Sequence, residues 1–226
     1  MRKSVKIRLV VMAHPDDPEL ACGGTIAKWT EQGDEVYYII VSCGEKGTWD
    51  RDVSPFNVAE TREKEANEAA KYLGVKKVIF LRHPDGNIGL ANTLKLEIAA
   101  LIRKLKPHTI VTHDPWRRHF HPDHRVTGFV VIDAIMIARD WHFYPFLREI
   151  GLEPHRADEL LLTPSDNPTF INDISKTLDR KIKAIRIHKS QLGQLPNWEQ
   201  RIKKMAVDVG KTSGFEFGEG FYRMRI

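Results

Sequence analysis

At 226 residues, with 42% hydrophobic and 29% charged residues, the chain has the composition of a globular α/β-sized domain, which excludes a disordered or disulfide-stapled protein. The formal charge of +5 and pI near 9.1 come from lysines and arginines scattered beside glutamates, as in Glu60-Thr61-Arg62-Glu63-Lys64-Glu65; no nucleic-acid motif accompanies them, so no nucleic-acid partner is expected. The longest apolar stretch, Phe129 to Ala138, is broken by Asp133 and is far short of the roughly 18 residues of a membrane span.

In chain order, Ile7 to Ala13 reads as a buried strand that stops at His14-Pro15-Asp16-Asp17. Gly23-Gly24-Thr25 then opens a helix predicted over Gly24 to Gln32, and Cys22 beside it reads as a small buried side chain. Strands follow at Glu35 to Ser42, Lys77 to Leu81 and Thr109 to Thr112, each short, Val/Ile-rich and bounded by turns. Between them lie helices at Val58 to Leu73, ended by Gly74, and Thr93 to Leu105, stopped by Pro107. This alternation predicts an α/β fold, a Rossmann-like, mainly parallel sheet with helices on both faces and the site at the carboxyl ends of the strands. In that topology the first and fourth strands are neighbours whose connections leave to opposite faces, opening a crevice. Residues 1–226 are expected to form one domain, with a less regular C-terminal part from about residue 139.

The fourth strand stops at His113-Asp114-Pro115-Trp116, with His119 and then His121-Pro122-Asp123-His124 behind it. Imidazole and carboxylate are the usual nitrogen and oxygen ligands of zinc, and a catalytic zinc keeps three protein ligands and one open position. Two acid-and-imidazole turns after strands can supply three ligands and leave a carboxylate over. An Asp- and Pro-rich turn also caps helices with no chemistry at all, and Asp123 can cap the helix that follows it, whose Val126, Phe129, Val130 and Ile137 mark a buried face. Spacing does not tell Asp16 from Asp17. No GxGxxG fingerprint follows the first strand, so no dinucleotide is implied.

The segment Cys43 to Asn57, with Gly44, Gly47, Trp49 and Pro55, follows a strand on the same side as both motifs and is a candidate lid. The aromatic run Trp141 to Phe146 reads as core or subunit contact. Arg62 fits a solvated helix residue paired with Glu63 or Glu65, His188 a residue at the pocket rim, and His113 and His119 exposed or supporting positions.

AHPDDPEL at 13–20, GGT at 23–25 and HPDH at 121–124, with ETREKE at 60–65, PDGN at 84–87, AIRIHKSQ at 184–191 and GEGF at 218–221 in order, resemble the PIG-L/LmbE-type zinc-dependent N-deacetylases over nearly the whole chain. DPW before HPDH and the basic segment ending HKSQ are most similar to the archaeal diacetylchitobiose deacetylase branch. The resemblance implies an enzyme that hydrolyses the acetyl amide of an N-acetylglucosamine-type substrate, N-acetylglucosamine or diacetylchitobiose. It implies one Zn2+ per subunit on His14, Asp17 and His124, with Asp16 as general base. His121 would be the electrophilic or acid partner and Asp123 the group that orients it and favours its cationic form. Arg62 and Asp85 would contact the sugar. It further implies a homo-oligomer, and that an N-terminal extension and a C-terminal tail of that branch have no counterpart here. With few cysteines and no secretory leader read, cytoplasmic placement is expected. The alternatives are an amidase of another small N-acyl substrate such as a glucosamine conjugate, a two-metal phosphoesterase, which His113 as a ligand would favour, and a non-catalytic metal- or carbohydrate-binding module. A spare carboxylate beside the ligands speaks against mere binding.

Overall fold

The computed structural model describes residues 4–118, 120–192 and 196–226. In chain order, β1 (Ile7–Met12), α1 (Asp17–Glu31), β2 (Glu35–Ile40), α2 (Pro55–Leu73), β3 (Lys77–Phe80), α3 (Asn92–Leu105), β4 (Thr109–Thr112) and α4 (Pro122–Arg139) give the alternation expected from the sequence. Beyond residue 139, where periodicity loosens, come α5 (Phe146–Glu149), β5 (Glu159–Leu162), β6 (Phe170–Asp173), α6 (Leu178–Ile185), α7 (Lys189–Leu192), α8 (Trp198–Lys211) and β7 (Gly218–Arg225). The strands form one sheet in the order β3-β2-β1-β4-β5-β7-β6. Strands β3 to β5 of that order are parallel, and β7 runs antiparallel between β5 and β6.

Successive side chains of a strand point to opposite faces, and β1 divides the core accordingly. Leu9 and Val11 pack with Ile98 and Ile102 of α3 and Val130 of α4, whereas Val10 and Met12 pack with Ile26 of α1, Ala70 of α2 and Ala184 of α6. The connection from β1 therefore leaves to one face and that from β4 to the other. Their carboxyl ends frame a crevice.

Local chemistry moves several helix boundaries. Ser54 accepts the Asn57 amide and Pro55 follows it, so α2 starts before Val58; at its other end Gly74 is left-handed, as a C-cap requires. Helix α1 starts at Asp17 rather than Gly24 and breaks at Cys22 (φ −145°, ψ 25°). The Gly24 and Thr25 amides freed by the break donate to the Glu219 carboxylate of β7 at 2.9 and 2.7 Å, which also pairs with Lys181 Nζ at 2.6 Å. A Cβ on Gly24 would lie 2.9 Å from the Ile174 side chain, so the glycine permits this close approach.

On the opposite face, buried Arg103 of α3 donates to the carbonyls of Ile137, Ala138 and Asp140 at the end of α4, a cation where the helix dipole is negative. Val130 and Ile137 of α4 are buried as expected, but Phe129 is exposed and meets the Trp116 ring edge-on. It lies about 100° round the helix from Val130. Trp141, Phe143 and Phe146 are likewise 41–49% exposed rather than core. No helix among the described residues is long and apolar enough to cross a membrane.

Candidate metal centre and active site

The two motifs meet in the crevice at the ends of β1 and β4. Asp17 folds back on its own turn, its Oδ2 accepting the His14 amide at 2.8 Å, and so fixes both side chains at the head of α1. His14 Nδ1 lies 3.3 Å from His124 Nε2 and 3.4 Å from Asp17 Oδ2, and His124 Nε2 lies 3.3 Å from Asp17 Oδ1. Nitrogen and oxygen ligands at the roughly 2.0–2.1 Å bond lengths of tetrahedral zinc stand about 3.3–3.4 Å apart. Each imidazole nitrogen thus stands at ligand spacing from the other and from one oxygen of the Asp17 carboxylate, a donor set with the chemistry of a divalent-metal site. Potential donors among the described residues fall into three sets, His14/His121/His124, His14/Asp85/His121/Asp123 and Asp17/His113/His124, the first of which overlaps each of the others, so they form one cluster.

Carboxylates surround the far nitrogen of His14. Asp85 Oδ1 is 3.1 Å and Asp123 Oδ2 3.3 Å from Nε2, leaving Nδ1 to face the cluster in the manner of a carboxylate-supported ligand. Burial opposes protonation of His14, but Asp123, Asp17 and Asp85 outweigh it and hold its pKa well above the ordinary value. Burial likewise opposes charge on Asp17, and the His124 and His113 imidazoles outweigh it, holding that carboxyl well below the usual range. The field at this point favours positive charge, as a cation site requires.

Asp85 is accordingly buried and committed. Its other oxygen accepts the Lys46 amide at 3.0 Å, its own amide donates to Glu45 at 2.8 Å, and its pKa is lowered against burial by the hydrogen bond from His14. The structure thus engages Asp85 with His14, a contact that sequence reasoning missed. The segment from Cys43 is pinned in part. The Gly47 carbonyl accepts from Gln191 of α7 at 2.9 Å, while Trp49 is 88% exposed.

Arg62 is not a solvated helix residue. It is 5% exposed and crosses from α2 to donate to Asp16 Oδ1 at 2.8 Å and to the Gly44 carbonyl at 2.9 Å. A Cβ on Gly44 (φ +65°) would lie 2.2 Å from its Nη1, so a glycine there is needed both for the backbone and for the guanidinium. The neighbouring carboxylates are thereby separated, with Asp17 turned to the imidazoles and Asp16 held beside them by Arg62.

Further expectations change. His121, not Asp123, is the side-chain cap of α4, its Nδ1 accepting the Asp123 amide at 3.3 Å. The Asp123 carboxylate turns instead to His14 and to the Gly86 amide at 2.7 Å. His121 is also not held cationic: burial first, then the charges of His14 and His124, lower its pKa. An accepting Nδ1 places the neutral proton on Nε2. His113 is buried, stacks on His124 at 4.2 Å between ring centroids and approaches Asp17 Oδ2 at 3.2 Å, its Nε2 also accepting the Ala13 amide at 3.2 Å. His188 is not at a rim; it is 1% exposed and 3.0 Å from Glu19 Oε2. His119 lies outside the described residues.

A profile of the family described as PIG-L: GlcNAc-PI de-N-acetylase matches residues 9–135, the span that carries both motifs. Diacetylchitobiose deacetylase of Thermococcus kodakarensis is 35% identical over 219 residues, covering 96% of this chain and 82% of that protein. The solved structure of N,N'-diacetylchitobiose deacetylase from Pyrococcus horikoshii superimposes with a TM-score of 0.93 at 33% identity, covering 98% of this chain and 85% of that one. GalB, a 4-carboxy-2-hydroxymuconate hydratase from Pseudomonas putida, shares the fold at a TM-score of 0.85 and 23% identity, covering 98% of this chain and 97% of that one. That likeness concerns architecture alone, which does not fix function. With the profile over more than half its length and a relative above 30% identity over nearly all of it, this chain belongs to the PIG-L family.

Proposed function

We propose that this protein is a zinc-dependent hydrolase that removes the acetyl group from an N-acetylglucosamine-type substrate, N-acetylglucosamine or diacetylchitobiose. The observation that carries the reading is Asp16, held by Arg62 beside the His14, Asp17 and His124 side chains and not one of that set. His14, Asp17 and His124 would hold one ion per subunit. Zinc, when bound, supplies Lewis acidity that polarises a carbonyl and lowers the pKa of a water toward about 7.

The chain's own groups divide the remaining work. Arg62 occupies one oxygen of Asp16 and fixes the direction of the other, which accepts a proton from the attacking water and later returns it to the departing amine nitrogen. His121, its Nδ1 used at the head of α4, presents Nε2–H as a donor to the carbonyl oxygen as negative charge grows there. Asp85 and Asp123 hold His14 in orientation and tautomer. Arg62 and Asp85 also border the sugar on this reading, with Asp16 and His14 as their first contacts. The homology with named deacetylases supports the same reaction class.

Acetate release by metal-stripped protein, with and without one equivalent of zinc, tests the reading. Zinc-dependent acetate from either substrate is expected; zinc-independent release, or bound zinc with no turnover on any N-acetyl sugar, overturns it. Release from other glucosamine conjugates would favour the wider amidase reading. Cytoplasmic placement, with Cys22 and Cys43 as free thiols, and association into a homo-oligomer through exposed Trp116, Phe129 and Trp141 complete the proposal. Light scattering on the eluting protein checks the association.

A further inference from the structure

A cavity of about 340 Å³ opens beside the metal centre on the β5–β7 side of the sheet, within the roughly 300–1,000 Å³ of small-molecule sites. Asp17, His113 and His124 of the cluster are among the residues that line it. Asp16, Arg62 and Asp85, which border the other side of the cluster, do not line it. Its walls are aliphatic: Leu20 and Ala21 of α1 face Ile202, Met205, Ala206 and Val209 of α8.

The polar side chains in the wall are already engaged with protein. Lys181 pairs with Glu219 at 2.6 Å, and Glu219 also takes two amides of α1. Thr163 Oγ1 donates to the Gly220 carbonyl at 3.0 Å, Ser165 Oγ accepts the Asn167 amide at 3.3 Å, and Arg117 pairs with Asp166 at 3.0 Å. A sugar ring would leave its hydroxyls short of partners here, at a cost in desolvation. An alkyl chain would not, and taking a methyl group as roughly the size of a water, about 30 Å³, the space admits on the order of ten carbons.

We infer that this cavity receives the acyl group of the substrate, so that the enzyme hydrolyses N-acylglucosamines with chains longer than acetyl. The inference rests on the N-acyl hydrolase reading above. An amide carbon at the metal face has two substituents that must diverge; the amine-bearing sugar lies toward Arg62, and the acyl chain runs between α1 and α8. Water supplies the oxygen to the acyl carbon, the C–N bond breaks, and the products are a carboxylate and the glucosamine ammonium, with no other reactant.

The zinc-loaded enzyme and its Ala206→Phe variant are compared on N-acetyl-, N-butanoyl-, N-hexanoyl- and N-octanoylglucosamine by glucosamine release. Burial of each methylene predicts a rise in kcat/KM of about fourfold, compounding to about 250-fold over the four methylenes from acetyl to hexanoyl where all are fully buried, and a rise of at least tenfold is required. Phenylalanine at 206 would remove that gain while leaving acetyl hydrolysis within about twofold of the parent. Acetyl hydrolysis with longer chains rejected, or a chain-length profile unmoved by Ala206→Phe, overturns the inference and leaves the deacetylase standing. So does a variant whose loss falls on diacetylchitobiose, which would give the cavity to a sugar. No release from any amide overturns both readings, and if Ala206→Phe does not fold, the parent's profile alone decides.

Discussion

Asp16 and Asp17 are adjacent, identical in chemistry and indistinguishable by spacing, and it is their surroundings that separate them. Asp17 is tied to its own helical turn and to the imidazoles; Asp16 is tied to Arg62, 46 residues away. Replacing Asp16 by Asn would keep the ligand atoms and remove the base, so Asp16→Asn is expected to retain one equivalent of zinc and lose about 10²–10⁴-fold in kcat, measured by metal analysis beside the acetate assay. Arg62→Lys tests the support: one ammonium replaces a fork that serves Asp16 and the Gly44 carbonyl together. A drop in kcat of about 10²-fold is expected from a base misplaced by an ångström or so, with thermal stability changed far less than activity. That both motifs end neighbouring strands was legible in the sequence. The burial of Arg62 and Asp85 was not, because charged residues in a helix and a turn carry no local sign of a partner many residues distant.

At the scale of elements, α1 shows how a local defect is repaired from far along the chain. Gly23-Gly24 is visible in the sequence and suggests the helix start; the break at Cys22 and the capping of the second segment by Glu219 are not legible there, since the partner is 195 residues from Gly24. Removing the carboxylate would orphan two amides and leave Lys181 buried without its partner. Glu219→Ala is therefore expected to cost about 3–5 kcal/mol, seen as a lowered midpoint in urea unfolding. The double change Glu219→Leu with Lys181→Met removes both charges and should cost less than Glu219→Ala alone. An equal or larger loss would show that the amides, not the ion pair, carry the energy. Because α1 also positions Asp17, zinc affinity should fall with Glu219→Ala even where the protein remains folded.

At the scale of the molecule, the first four strands, β1 to β4, were legible because composition, caps and turns agree locally. The strands after residue 139 were not, because segments such as Glu159–Leu162 lack the Val and Ile that mark β3 and β4 and take their identity from their pairing partners. The contact that fastens this C-terminal part to the first motif is likewise long-range: His188 meets Glu19, whose other oxygen accepts the Tyr38 hydroxyl at 3.0 Å. Burial favours neutral His188, but the hydrogen bond and charge of Glu19 outweigh it and raise the pKa; burial raises the Glu19 pKa as well. Both shifts have one sign. A raised folded-state pKa gives stability that is full below the ordinary value, about 6.5 for histidine, and is lost as pH rises through the folded value. Above it a buried Glu19 carboxylate faces a neutral ring. In His188→Gln the side chain can still donate to Glu19 but cannot titrate, so the parent's advantage over this variant should be greatest near pH 6 and shrink toward pH 9. Taking the difference between the two proteins at each pH, both zinc-loaded, cancels the pH dependence of the metal centre. A gap that stays constant across that range would mean His188 holds Glu19 as a neutral hydrogen-bonding group, and that the ends of the chain are joined without an ion pair.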